Sequence, residues 1–160
     1  MTTLQEITIV RAPIGRCFDL ARSVEVHLAE NVHSGQQAVA AEGRTSGLLQ
    51  LGERVTWRAK HFGVWHKLTS EITQVDRPKY FQDAAVRGIF PYMRHDHYFR
   101  ALSSTETEMR DVFAFAAPLP VLGLLAELLF LRRYMRNLLL ERNAAIQQIA
   151  ESEQWRKYLP

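Results

Sequence analysis

ERVTWRAKHFGVWHKLTSEITQV, residues 53–75, is the stretch that decides the fold. Phe62-Gly63 is a two-residue turn signal between two runs rich in β-branched and aromatic residues, Glu53 to His61 and Val64 to Val75. Pairing back from the turn sets Ala59 opposite His66, Trp57 opposite Leu68 and Val55 opposite Ser70, all on one face. Apart from Trp65 beside the turn, the other face carries Arg54, Thr56, Arg58, Lys60, Lys67, Thr69 and Glu71. The hairpin therefore has an apolar inside and a charged outside, as an antiparallel sheet with one wet face requires.

Two more hairpins follow. Asp76-Arg77-Pro78-Lys79 reads as a turn into a strand from Tyr80 to Arg87, and Gly88 and Pro91 mark the next turn before a strand from Met93 to Leu102. In that last strand Met93, His95, His97 and Phe99 alternate with Arg94, Asp96, Tyr98 and Arg100. The second set is expected to face water, so both histidines are expected to point inward. A Ser103-Ser104-Thr105 loop that pairs Leu102 with Glu106 sets Phe99 opposite Met109, His97 opposite Asp111 and His95 opposite Phe113. On the other side, a loop around Gly88 to Tyr92 sets Phe81 opposite Phe99 and Asp83 opposite His97. His97 is then expected between two carboxylates on a concave inner face.

Upstream, Leu4, Glu6, Thr8 and Val10 alternate with Gln5, Ile7, Ile9 and Arg11 in a first strand. Pro13 opens a helix in which Ile14, Cys17, Phe18 and Ala21 recur at helical spacing, so Cys17 is expected to be a buried, inert thiol. Val24 to Glu30 reads as a second short helix capped by Ser23, and Gln36 to Glu42 as a weak strand. Gly43, Gly47 and Gly52 are turn residues and match no phosphate loop.

Downstream of Pro118 and Pro120 the period changes. Val121, Leu124, Leu125, Leu128, Leu131, Met135, Leu138, Leu139, Arg142, Ile146 and Ile149 form a helical stripe running to about Glu151. Such a helix is roughly 45 Å long, enough to cross a sheet. Leu122, Ala126, Leu129 and Phe130 make its first half apolar outside the stripe as well. The expectations for that half are a lid, a contact in a homodimer, or a peripheral membrane or partner surface. Trp155 to Pro160 reads as a tail without a pattern.

Composition excludes several classes. The 160 residues carry 20 Lys+Arg against 17 Asp+Glu, a formal net charge of +3, too small an excess to argue for nucleic acid as a partner. One cysteine excludes an internal disulfide framework and any multi-thiolate metal site. Only about eleven residues, broken by Glu127, separate Pro120 from Arg132. That is short of the roughly twenty a bilayer needs, so no transmembrane segment is expected. Met1 to Val10 has no apolar h-region, so the location expected is cytoplasmic.

The order of elements, a strand, two short helices, six antiparallel strands and a long C-terminal helix, is that of the helix-grip fold in the α+β class. Three segments carry a closer likeness: Gly52 to Gly63, Arg87-Gly88-Ile89-Phe90 with the His95-Asp96-His97 strand, and Arg132 to Asn143. In them the chain resembles the SRPBCC superfamily (START, Bet v 1 and polyketide cyclase relatives), in particular its small stand-alone bacterial members. The resemblance runs from Leu4 to about Ala150, and residues 1–160 are expected to form one domain. It implies a curved seven-stranded sheet wrapped around the C-terminal helix, with an apolar cavity holding a lipid, sterol, polyketide or aromatic metabolite. It also implies that most members bind or carry ligands, while some catalyse cyclisation, dehydration or hydrolysis. The glycine-rich loop of the plant pathogenesis-related members and the metal or iron–sulfur insertion of the Rieske oxygenases are missing, and no cofactor is expected.

The expected ligand-binding lining is Trp57, Leu68, Ile72, Phe81, Phe99, Met109, Phe113, Phe115, Leu128 and Met135, with Asp83, His95, His97, Asp111 and Arg142 as its polar groups. Buried polar side chains need mutual partners or a wet cavity, so a structural network among His95, His97, Asp83 and Asp111 is the competing reading. Arg142 is expected to reach either a buried carboxylate or the pocket mouth, where its fork suits an anionic head group. The enzyme alternative uses His97, oriented by Asp111 and beside His95, as a general base. Two histidines two apart on a strand with Asp83 or Asp111 have the composition of a facial metal triad, but spacing identifies no third ligand and no metal is expected.

Overall fold

The computed structural model describes residues 1–33, 38–117 and 124–160, with the side chains at 30–33, 38–41 and 124–127 excepted. Strand β1 (Thr2–Val10) leads into helices α1 (Ile14–Ala21) and α2 (Val24–His33). Strands β2 (Ala38–Gly43), β3 (Arg54–His61), β4 (Val64–Asp76), β5 (Tyr80–Gly88), β6 (Met93–Ser103) and β7 (Glu106–Phe115) follow, and then helix α3 (Leu124–Ala150). The strands form one antiparallel sheet in the order β1-β7-β6-β5-β4-β3-β2. This is the curved seven-stranded sheet and long helix of the helix-grip fold. Irregularities in β2, β4 and β6 each add local twist.

Local chemistry accounts for the elements. Pro13 caps α1 at φ −61°, and its carbonyl accepts from the Arg16 and Cys17 N–H groups. Ser23 caps α2, its Oγ accepting from the Val26 N–H at 3.2 Å. The β3–β4 turn has φ 51° at Phe62 and 76° at Gly63, the pair of left-handed residues that matches strand twist in a two-residue hairpin. Gly43 at φ 77° ends β2 where a Cβ would lie 2.4 Å from the Arg54 carbonyl oxygen, so only glycine lets the edge close against β3.

The sequence-derived register holds for β3–β4 and, over Met93 to Arg100, for β6–β7. Two assignments are corrected. Ser103, not Leu102, pairs with Glu106, because Leu102 lies in an irregularity of β6. Across β5–β6, Phe81 faces His97 and Asp83 faces His95, a slip of two residues that keeps every side chain on its expected face. Two outer-face residues are buried rather than solvated. Thr56 bonds Thr69 Oγ1 at 2.8 Å, and Asp96 accepts from Tyr80, Gln82 and Arg94. The expected tail is also ordered: Ser152 caps a short 3₁₀ turn (Glu153–Lys157), and Trp155, Tyr158 and Leu159 pack on the core.

Helix α2 extends to His33, beyond the expected end at Glu30. The expected start of β2 at Gln36 and the apolar positions Val121 and Leu122 lie outside the described residues. The side chains of Leu124, Leu125 and Ala126 do too, while Leu129 and Phe130 are exposed on α3. At 27 residues α3 spans about 40 Å. Among the described residues no helix is long and apolar enough to cross a membrane.

The core has two parts. The larger centres on Phe18 of α1, whose ring meets Phe81 at 5.6 Å and Phe99 at 5.4 Å edge-on, with Val55, Ile72, Met109, Ile146 and Ile149 around it. Cys17 is fully buried there, and burial pushes its thiol up to about 11. The smaller part joins Leu4, Met93, Phe113, Phe115 and Leu139. Phe18→Ala should therefore lower the free energy of unfolding by about 3–5 kcal/mol, read from the urea midpoint. A change below about 1 kcal/mol would mean that α1 does not carry this packing.

Candidate ligand cavity and its polar end

Between the two core parts the inner face of the sheet and α3 do not meet, leaving a cavity of about 270 Å³. From the sheet it is lined by Trp57, Ala59 and His61 of β3, His66, Leu68 and Ser70 of β4, Asp83 of β5, Met93 and His95 of β6 and Phe113 of β7. Helix α3 contributes Leu131, Tyr134, Met135, Leu138, Leu139, Glu141 and Arg142, and α2 contributes His27. Ile89 and Phe90 of the β5–β6 loop and Phe62 of the β3–β4 turn complete the wall.

Of the residues expected to line a pocket, Trp57, Leu68, Asp83, His95, Phe113, Met135 and Arg142 do so. Ile72, Phe81, Phe99 and Met109 are packed solid beneath α1, and Phe115 packs in the smaller core part. Leu128 is half-buried on α3 away from the lining, while His97 and Asp111 lie behind His95. His27, His61, His66 and Tyr134 were not anticipated. Their signals were present: His61 continues the inward Trp57, Ala59 alternation, and Tyr134 lies three residues from Leu131 on the helical stripe.

The polar end is a connected network. His95 Nε2 lies 2.9 Å from Asp111 Oδ1, and His97 Nε2 lies 2.8 Å from Asp83 Oδ1. The carboxylates have no proton to give, so each imidazole donates from Nε2. His97 Nδ1 is 3.1 Å from Asp111 Oδ1, which places His97 between two carboxylates as expected, although the cross-strand partners differ. Asn143 Nδ2 donates to Asp111 Oδ2 at 2.8 Å. Arg142 reaches the buried carboxylate: Nη1 donates to Asp111 Oδ1 at 3.3 Å and Asn143 Oδ1 at 3.1 Å. Its Nη2 lies 3.4 Å from both the Ala21 carbonyl oxygen and His97 Nδ1.

Burial alone would raise both carboxyls. For Asp111 the hydrogen bond from His95, the His97 ring beside it and the charge of Arg142 prevail and hold it well below the usual carboxylate range. The His97 hydrogen bond and the neighbouring Arg142 charge also hold Asp83 below its ordinary value. Burial, then the neighbouring His97, push the His95 imidazole down to about 4 despite Asp111. His27, its ring 4.0 Å from that of Trp57, is also pushed down to about 4, by burial and then by Arg142. Ligating atoms of Asp83, His95 and His97 lie within 4.8 Å of one another. A divalent cation held there would have to break the His97–Asp83 hydrogen bond and sit close to a guanidinium, so this donor set fits hydrogen bonding better than a metal.

At the other end, His61 Nδ1 and Tyr134 Oη are 2.7 Å apart, and Phe62 packs with its ring tilted against Tyr134 and Phe130. The β3–β4 turn and α3 thus meet over the cavity.

No family model matches the chain, and no curated protein matches it in sequence. Solved structures do match in shape. Protein CV1439 from Chromobacterium violaceum superposes with a TM-score of 0.72 at 12% identity, over 95% of this chain and 99% of that one. A START superfamily protein from Mycobacterium smegmatis gives 0.70 at 10% identity, over 93% and 97%. The Zhui aromatase/cyclase from Streptomyces sp. R1128 gives 0.68 at 13% identity, over 94% and 93%. The chain therefore has the helix-grip fold that these structures share.

The network sets a pH dependence whose sign follows from the displaced values. Between the ordinary histidine value of 6.5 and about 4, the unfolded chain binds a proton that folded His95 refuses. Stability is thus complete above about 6.5 and falls as pH drops toward 4, and His27 adds to the same slope. Asp83 and Asp111 give up their share only lower, below the ordinary 3.8. The urea midpoint should fall between about pH 7 and about pH 4.5, and His95→Gln should flatten that fall. An equal slope in the variant would reject the assignment to His95.

Proposed function

We propose that this protein binds or carries a hydrophobic or amphipathic small molecule, such as a lipid, polyketide or aromatic metabolite, in the cavity between sheet and α3. One observation carries the reading. A cavity of about 270 Å³ is left where a sheet and a helix of a protein this size would ordinarily pack shut, and aromatic and aliphatic side chains line most of it. Polar groups punctuate that lining, Asp83, His95 and Arg142 at one end and the His61–Tyr134 pair at the other, as orienting groups do in ligand sites. The Mycobacterium START superfamily protein and the Zhui aromatase/cyclase share the fold.

A second reading is favoured by one specific contact. His95 lines the cavity and is oriented by Asp111 through Nε2 at 2.9 Å, the arrangement of a carboxylate-positioned general base. It replaces His97 in the enzyme alternative, because His97 lies behind His95 with its nitrogens turned to carboxylates. If the protein deprotonates a carbon acid in a cyclisation or dehydration, His95→Gln should lower turnover by about 10²–10⁴-fold while leaving ligand affinity within about threefold. A pure carrier shows no turnover to lose.

The carrier reading is tested by filling the cavity. Ala59 is a small residue on its wall, so Ala59→Trp should abolish binding of an environment-sensitive apolar dye such as 1-aminoanthracene. The variant should melt no lower than the parent, since the added ring occupies space already open. Undiminished dye binding by a folded variant would place the dye elsewhere and reject the cavity as the site.

A further inference from the structure

The polar end of the cavity can be read for the kind of group it accepts, on the premise that the cavity binds a ligand at all. His95 uses Nε2 on Asp111, and Asp83 uses Oδ1 on His97. Among the described residues neither His95 Nδ1 nor Asp83 Oδ2 has a partner, and neither atom is sealed from the cavity as a buried orphan. Both residues line the cavity and are directly paired across β5 and β6. A histidine that donates from Nε2 and stays neutral offers a lone pair at Nδ1, and a carboxylate offers only lone pairs. The wall thus presents two adjacent acceptors.

Positive charge there is already engaged. Each Arg142 terminal nitrogen has two acceptors, Asp111 and Asn143 on Nη1, and the Ala21 carbonyl and His97 on Nη2. Its charge is met by Asp111, itself 2% exposed and held by Asn143. Asp83 and Glu141 are the carboxylates on the cavity wall, so an incoming anion would face two like charges and one guanidinium that is already paired.

The geometry points to a ligand that places a hydrogen-bond donor, a hydroxyl or phenol, on Asp83 Oδ2 and His95 Nδ1, and to exclusion of carboxylates from the same place. This narrows the proposed binding function to a class of substrate and removes the anionic head group that Arg142 alone would have suggested. A site built to receive a donor also disfavours the same skeleton without one, because its acceptors then lose solvent and gain nothing.

The test compares three ligands on one two-ring skeleton by isothermal titration of the whole chain: 2-naphthol, 2-methylnaphthalene and 2-naphthoate. We expect naphthol to bind at least tenfold more tightly than naphthoate and more tightly than methylnaphthalene. Asp83→Asn should shrink the naphthol-to-naphthoate ratio at least fivefold, since an amide supplies a donor and removes the charge. Naphthoate equal to or tighter than naphthol, or methylnaphthalene equal to it, overturns the inference while leaving the cavity reading standing. Binding of none of the three overturns the cavity reading itself and this inference with it. Should Asp83→Asn fail to fold, the three affinities of the unaltered protein decide alone.

Discussion

Asp83, Asp111, His95, His97 and Arg142 are removed from bulk water together on the inner face of the sheet. Each would cost several kcal/mol to bury alone. They are tolerated because each meets the others: carboxylate to imidazole at 2.8 and 2.9 Å, guanidinium to carboxylate at 3.3 Å, and Asn143 to the remaining oxygen of Asp111. The contributors come from β5, β6, β7 and α3, and Arg142 also reaches the carbonyl end of α1 at Ala21. A slip of any strand would leave a buried charge unmatched, so the network specifies one register and one azimuth of α3. Interactions of this kind define a unique structure more surely than they add net stability.

That constraint explains why the cavity persists. Helix α3 is fixed at its C-terminal half, where Ile146 and Ile149 sink into the core beside Phe18 and where Arg142 and Asn143 join the network. Toward its N-terminus the same helix presents Leu131, Met135 and Leu138 to the cavity. The helix cannot settle onto that part of the sheet without lifting its polar half out of register. Space therefore remains there, and at the far end the β3–β4 turn and α3 are joined by aromatic contacts rather than by core.

What was legible in the sequence follows how local each determinant is. Phe62-Gly63 sets a register over eight pairs without help from the rest of the chain, and the short β6–β7 loop does nearly as well. Gly88 to Tyr92, with a proline and no two-residue turn signature, leaves the loop length ambiguous, and the β5–β6 pairing slipped by two. Because strands repeat every two residues, the slip preserved the inward set, so the buried network was found although its partners were not. Alternation told which side chains face inward but not which of them meet helix and which meet space. Phe81, Phe99 and Met109 are covered by Phe18, and where a distant helix docks is not written in strand periodicity. Asp96 was misread for a related reason: the tyrosine and glutamine that cover it come from the neighbouring strand.

The division of labour between the two histidines follows from their depth. His97 lies against Phe81, ring to ring at 4.0 Å, with a carboxylate oxygen close to each nitrogen, so its imidazole is committed to holding the network together. His95 stands one step nearer the cavity, with one nitrogen on Asp111 and the other without a partner among the described residues. An imidazole kept neutral by burial and oriented by a carboxylate can accept a ligand's proton-bearing group without itself carrying charge into an apolar space. Asp83 beside it stays ionised because His97 stabilises it from behind. Burial and the rear layer of the network together set the protonation of the front layer, and in the proposed ligand site that front layer would set what the cavity receives. Recognition and any proton transfer would use the same two atoms, which makes the chemistry of the bound group, rather than a rearrangement of the protein, the factor separating a carrier from an enzyme on this scaffold.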